Sequence, residues 1–153
     1  MSETYLSVIP TDATWQPALE AGHAADRVFA RMVPDTEELD AKWHERIQLV
    51  EAGSNLAEIR CPSCAGQVDM DWWDDLVDAA YEDEEEGWTG LDVAVPCCGV
   101  VVSLNDLRYD WPTGFARFEL SARSPDRGWL TEEELAELAE TLGHPVRQIM
   151  ARI

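Results

Sequence analysis

The chain has 153 residues, of which 46% are apolar, and its 31 acidic against 11 lysine and arginine side chains give a formal net charge of −20. A chain of this length can bury about 70% of the surface that it exposes when unfolded, and the apolar content with seven tryptophans excludes a disordered protein. The charge opposes nucleic-acid binding because it repels phosphate. The start of the chain lacks a targeting signal and no stretch has the roughly 18 apolar residues of a membrane span, so we expect a cytoplasmic protein without membrane contact.

The first third of the chain predicts one strand and two helices. A strand is expected over Tyr5–Ile9, followed by a helix that runs from near Pro17 to about Met32. A second helix is predicted to end at Gly53, since apolar residues recur at helical spacing. Those residues are Leu39, Trp43, Ile47 and Val50.

The middle of the chain holds its four cysteines in two tight pairs, with 32 residues between them. The first pair is Cys61-Pro62-Ser63-Cys64 and the second is Cys97-Cys98-Gly99. Short apolar runs flank each pair, which predicts two hairpins with cysteines at their turns. Two turns that offer thiolates suit one tetrahedral Zn²⁺ in a structural role, because zinc prefers soft ligands and needs no redox partner. The predicted ligands are Cys61, Cys64, Cys97 and Cys98.

The second pair departs from the usual spacing of a zinc turn. Neighbouring residues in an extended strand point to opposite faces, so Cys98 is the safer ligand and Cys97 is provisional. Cys97 is either the fourth metal ligand, placed by a tightened turn, or a buried thiol beside a site in which another residue is the fourth ligand. The candidates for that position are His144, His44, His23 or an aspartate. Four buried thiols without a metal would also be compatible with the sequence.

The first pair also allows a redox interpretation. Cys-Pro-x-Cys turns occur in dithiol enzymes, where the N-terminus of a following helix activates the first cysteine. Here Gly66 and a strand-like segment follow Cys64. The sequence therefore favours a metal site over redox catalysis.

Through Cys61-Pro62-Ser63-Cys64 and Pro96-Cys97-Cys98-Gly99 the chain resembles zinc-ribbon proteins over about a quarter of its length. This resemblance implies a zinc-ribbon-like subdomain over residues 56–104. It implies no activity, because zinc ribbons serve in nucleic-acid binding, subunit contact and plain stabilisation. Over its whole length the chain also resembles acidic bacterial proteins of no assigned activity, which implies no mechanism.

An acidic insert separates the two cysteine pairs and is predicted to be helical over residues 71–86. Residues 69–86 carry ten carboxylates, and residues 61–107 contain twelve acidic and no basic side chains. The insert mixes acids with aromatic residues, which dominate the energetics of interfaces. A solvated helix with half of its aromatic residues in the core is the alternative. The predicted partner-binding residues are Trp72, Trp73, Asp74, Asp75, Tyr81 and Trp88.

The last third predicts a core strand over Phe115–Ser121 and two helices. Thr131 and Glu134 form a capping box for the first helix, which should end at Gly143. A last helix is expected to begin at Pro145. The spacing in these two helices resembles that of helix-turn-helix DNA readers, with Arg147, Gln148 and Arg152 on the second helix.

These elements predict a single α+β domain over residues 1–153. A mixed or antiparallel sheet is flanked by helices and carries an inserted zinc-ribbon-like pair of hairpins. The favoured function is a non-enzymatic, acidic, zinc-binding interaction module for a basic protein surface, one form of which is an inhibitor or immunity-type protein. The competing hypotheses are a transcription-associated DNA-binding protein that uses the C-terminal helices, and an enzyme whose site matches none of the familiar motifs.

Overall fold

A computed structural model describes residues 3–153. The expectation that the start of the chain carries no targeting signal falls in part on the first two residues, which lie outside the described part. The α-helices are α1 (Leu19–Met32), α2 (Met70–Glu82) and α3 (Glu132–Leu142). The strands are β1 (Thr4–Pro10), β2 (Glu38–Val50), β3 (Ile59–Arg60), β4 (Asp92–Ala94), β5 (Val101–Ser103), β6 (Arg108–Tyr109), β7 (Gly114–Arg123) and β8 (Val146–Arg152). No helix in these residues is both long and apolar enough to cross a membrane.

The main sheet has four strands in the order β2-β7-β1-β8, and every neighbouring pair is antiparallel. Of the two central strands, β1 carries the β-branched residues Thr4, Val8 and Ile9, and β7 carries Phe115 and Phe118; both residue types pack well on a pleated surface. This architecture confirms the predicted α+β class and its antiparallel sheet. The strands predicted over Tyr5–Ile9 and Phe115–Ser121 are β1 and β7.

Helices α1 and α3 cover one face of this sheet and form the first hydrophobic core with it. The capping box is present, because the Thr131 side chain accepts from the Glu134 N–H at 3.1 Å while the Glu134 carboxylate accepts from the Thr131 N–H at 2.9 Å. Gly143 ends α3 in the left-handed conformation, with φ +80°. The helix predicted from near Pro17 to about Met32 is α1, and the helix predicted to end at Gly143 is α3, so both predictions are confirmed.

The helix predicted over the second apolar segment is wrong, because Glu38–Val50 forms strand β2. Leu39, Ala41 and Trp43 alternate towards the first core as a strand requires. The pairing with β7 then shifts between Trp43 and Gln48. This bulge changes which residues of the strand face the core. The alternation of apolar residues is therefore interrupted, and their spacing resembles that of a helix.

The last predicted helix is also wrong, because residues 146–152 form strand β8 along the whole of β1. The Arg147 guanidinium donates to the carbonyl of Thr113 at 2.7 Å. The Gln148 amide exchanges hydrogen bonds with the backbone of Leu130 at 2.8 and 3.1 Å. The Arg147 and Gln148 side chains, predicted to lie on a DNA-reading helix, thus bind the backbone of the fold. The second helix of the helix-turn-helix interpretation is absent, because strand β8 takes its place.

A second hydrophobic core contains Ile47 of β2 and Phe115 of β7 and extends to α2 and the four short strands. Strands β4 and β5 pair as the predicted second hairpin. The first hairpin needs correction, because β3 takes its strand partner from β6. The two sides of the first cysteine turn form no strand pair and are joined by a bridge between Arg60 and Gln67 and by a hydrogen bond from the Val68 N–H to the Ile59 carbonyl, at 2.8 Å.

Candidate metal centre

The two cysteine pairs meet at one point of the structure. All four Sγ atoms lie within 4.8 Å of one another. The Sγ atoms of Cys61 and Cys98 are 3.9 Å apart, and those of Cys64 and Cys97 are 3.5 Å apart. A tetrahedral ion with metal–sulfur bonds of about 2.3 Å needs sulfur–sulfur separations of roughly 3.8 Å. The donor set therefore fits a tetrahedral metal ion.

The first turn points backbone N–H groups at its sulfurs. It is closed by hydrogen bonds from the Ala65 N–H to the Cys61 carbonyl, at 3.0 Å, and from the Cys61 N–H to the Gly66 carbonyl, at 2.9 Å. Ala65 takes a left-handed conformation, with φ +59°. The Ser63 and Gly66 N–H groups each lie 3.3 Å from a cysteine Sγ, those of Cys61 and Cys64 respectively. These donors stabilise thiolates.

The second turn repeats the backbone of the first. The Gly99 N–H donates to the Val95 carbonyl at 2.8 Å, and the Val95 N–H donates to the Val100 carbonyl at 3.0 Å. Gly99 adopts φ +74°, as Ala65 does in the first turn. Val95 therefore occupies the place of Cys61, and Cys97 that of Ser63.

This repeat brings the provisional cysteine into the site. Cys97 and Cys98 lie in a tight turn rather than in an extended strand, so both Sγ atoms reach the common point. The shared proline, Pro62 in one turn and Pro96 in the other, would have shown the repeat once Cys64 was aligned with Cys98.

Two of the thiols, those of Cys61 and Cys97, differ in how easily they ionise. The N–H groups of Cys64 and Ser63 lower the pKa of Cys61 to about 7. Desolvation and the neighbouring thiols of Cys64 and Cys61 raise the pKa of Cys97 to about 12. Cys97 therefore keeps its proton at neutral pH unless a cation takes the proton's place.

The three histidines that could have completed the site lie elsewhere. His144 stacks on Trp15 with ring centroids 4.4 Å apart, and His23 lies 5.1 Å from the Trp43 ring. The Nε2 of His44 is 3.5 Å from the Glu119 carboxylate. In the described part of the chain, the group of close ligands contains cysteines alone.

The surroundings of the sulfurs match neither four buried thiols nor a dithiol enzyme. Cys61 is fully buried, but Cys64, Cys97 and Cys98 are exposed, so four buried thiols is the wrong description. The next helix, α2, begins only at Met70, and no helix N-terminus follows Cys64 directly. The site thus lacks the helix that activates the first cysteine in dithiol enzymes.

The aromatic residues predicted to bind a partner lie largely in the second core. Trp73 is 6% exposed and its ring meets the Tyr109 ring edge to face at 6.2 Å. Trp88 packs between Tyr81 and Phe115, at centroid distances of 5.5 and 5.1 Å. Trp72 is half-buried against the same core. These side chains hold α2 in place.

The acidic residues of α2 lie on its other side. The exposed positions recur at the helical period and include the predicted Asp74 and Asp75. The exposed acidic residues are Asp71, Asp74, Asp75, Asp78 and Glu82, and Ala79 is the one other exposed position of the helix. In the loop that follows, Glu85 pairs with Arg46 of β2. The helix therefore presents a row of carboxylates to solvent.

Comparisons of the chain with protein-family models, with curated proteins and with solved structures find no match. The geometry of the site and the distribution of charge are therefore the grounds for the function proposed below.

Proposed function

We propose that this protein is a non-enzymatic interaction module in which Zn²⁺ bound by the four cysteines stabilises an acidic surface for a basic protein partner. The observation that carries this proposal is that Cys61 and Trp73 belong to the same hydrophobic core. A metal held at Cys61 therefore stabilises the core on which the acidic helix α2 rests.

Zinc is the metal that this donor set supports best. Four thiolates in a closed tetrahedral arrangement are typical of structural zinc sites, whereas catalytic zinc keeps an open position for water. Cys61, Cys64, Cys97 and Cys98 would hold the ion, which would cross-link the two turns without redox chemistry. Metal analysis of protein purified without added metal tests this choice, and iron in place of zinc would contradict it.

The charge of residues 61–107, the segment that holds the four cysteines, supports a basic partner. A zinc ion with four thiolates carries a formal charge of −2, so it adds to the negative charge of a segment that has no basic side chain. Such a field raises the association rate of cationic surfaces and opposes phosphate. One form of this proposal is an inhibitor or immunity-type protein that occupies the basic cleft of a nucleic-acid-directed enzyme.

Affinity capture tests the proposal directly. The zinc-loaded protein is immobilised, exposed at low salt to a lysate that retains its nucleic acid, and eluted with a salt gradient. We expect a defined basic protein to bind and to elute as salt screens the interaction. The matched control is a Cys61→Ser, Cys64→Ser variant, which keeps the acidic side chains and should lose the partner. Capture of nucleic acid instead, or equal capture by the variant, would contradict the proposal.

A further inference from the structure

An apolar groove lies between α2 and the chain that leaves β2. Its volume is about 380 Å³. Two exposed carboxylates, those of Glu51 and Asp74, stand at its rim, and no lysine or arginine lines it. Its main apolar lining residues are Leu49, Leu56, Met70, Trp73 and Val77.

Both walls of the groove are held by the fold. On one side, Gly53 bridges to Arg152 of β8, and the Arg152 N–H donates to the Ala52 carbonyl at 3.2 Å. On the other side, the Asp69 side chain caps α2 by accepting from the Asp71 N–H at 3.0 Å. The groove is thus formed before anything binds, which lowers the entropic cost of binding.

The lining residues keep apolar surface open to the solvent. Leu49, Leu56, Met70 and Val77 pack against the second core on one side and remain half-buried. Trp73 forms a nearly buried part of the lining. Each apolar side chain that enters the groove would be stabilised in proportion to the apolar surface that it removes from water.

The acidic character continues past the groove. A second cavity of about 260 Å³ shares Leu49 and Glu51 with it and reaches across the sheet to Ser7 and Ser121. Glu119 and Lys42, which are opposite each other on β7 and β2, line this second cavity. Three carboxylates, from Glu51, Asp74 and Glu119, therefore face one lysine along the two cavities.

We propose that this groove is the docking site for a basic amphipathic segment of the partner protein. An aliphatic or aromatic side chain of the segment packs against Trp73, and flanking lysine or arginine side chains pair with Glu51 and Asp74. The inference rests on the proposed function and adds the surface and the chemistry of the partner. A second copy of the chain does not fit, because two bodies of charge −20 would repel each other.

Amide chemical shifts locate the binding site. The probe is a short synthetic peptide of alternating leucine and lysine, titrated into the zinc-loaded, ¹⁵N-labelled protein at physiological salt. We expect shifts concentrated at residues 49–56 and 70–77. A peptide with serine in place of leucine should bind more than about tenfold more weakly, because the apolar anchor is lost.

A charge reversal with a matched control separates the groove from general acidity. Asp74→Lys should weaken peptide binding roughly fivefold. Glu140→Lys makes the same change of charge on an exposed position of α3 and should weaken it less than about twofold, because salt screens distant charges beyond about 8 Å. The amide spectrum of each variant shows whether it is folded.

Three results would contradict docking in the groove. They are a serine peptide that binds as tightly as the leucine peptide, amide shifts that spread over α3, and equal loss of peptide binding in Asp74→Lys and Glu140→Lys. Those results leave the capture of a basic protein by the acidic surface intact. Failure of the proposed function looks different, because then neither the leucine–lysine peptide nor any basic protein binds at low salt.

Discussion

Gly22 of α1 lies directly against the indole of Trp43 on β2, so closely that a Cβ at residue 22 would overlap the ring. The Trp43 Nε1 donates to the Pro17 carbonyl at 3.1 Å, and the ring meets Phe118 edge to face at 4.9 Å. Trp43 therefore fixes α1 on the sheet.

Gly22→Ala should destabilise the protein although alanine favours helices by about 1 kcal/mol. The added methyl forces Trp43 out of place, and such overpacking costs about 1–3 kcal/mol. Gly128→Ala is the control, because nothing lies within 4 Å of a Cβ at that position. Urea unfolding measures both variants, and a Gly22→Ala protein more stable than wild type would contradict this packing.

Moving one ligand within the second turn should preserve metal binding. Cys97→Ser removes a ligand and should weaken metal affinity by more than about tenfold, since loss of a group that only orients a ligand already costs that much. Val95→Cys combined with Cys97→Ser places a thiol where the first turn has Cys61, and should recover most of the affinity. Competition with a chromophoric chelator measures the constants. If the double variant binds no better than Cys97→Ser, the two turns are not equivalent.

Metal removal should unfold the second core before the first. Cys61 belongs to the second core, whereas the core between α1, α3 and the sheet contains no cysteine among the described residues. Chelation, or Cys61→Ser, should therefore raise amide hydrogen exchange in α2 and around Leu104 while β1 and β7 stay protected. Ser63→Ala changes the same turn without removing a ligand and serves as the control. Uniform loss of protection would show that the two cores unfold together.

The pH dependence of stability should depend partly on Glu134. The Glu134 carboxylate accepts hydrogen bonds from the Arg127 guanidinium and from the Thr131 N–H, and these two bonds lower its pKa. The unfolded state then binds the proton more readily, so the pair stabilises the fold above the ordinary glutamate pKa of about 4.3 and loses this effect as pH falls through the lowered pKa.

Glu134→Gln keeps a side-chain oxygen for the capping box but removes the charge. It should cost about 1 kcal/mol at neutral pH, and the difference from wild type should vanish in acid. Thermal unfolding across this pH range measures the effect, with exposed Glu133→Gln as the control. A difference that stays constant with pH would show that the charge of Glu134 contributes nothing.

Local signals in the sequence predicted the elements that depend on near neighbours. The capping box of α3 and the glycine that ends it act within one or two turns of the helix. The cysteine pairs likewise predicted where the thiols cluster, because each pair lies in a single short turn, although Cys97 stayed provisional. Trp73 was correctly placed on a helix, but its burial depended on Tyr109, which is distant in the sequence.

The sequence by itself therefore determined the helices α1, α2 and α3, the central strands and the identity of the four thiols. Only the tertiary structure decided that Glu38–Val50 and Val146–Arg152 are strands, that Cys97 joins the site, and that Leu49 meets Val77 across a groove. The physical reason is that a strand takes its hydrogen bonds and its buried face from partners far along the chain, and the bulge in β2 interrupts the alternation that would have revealed it.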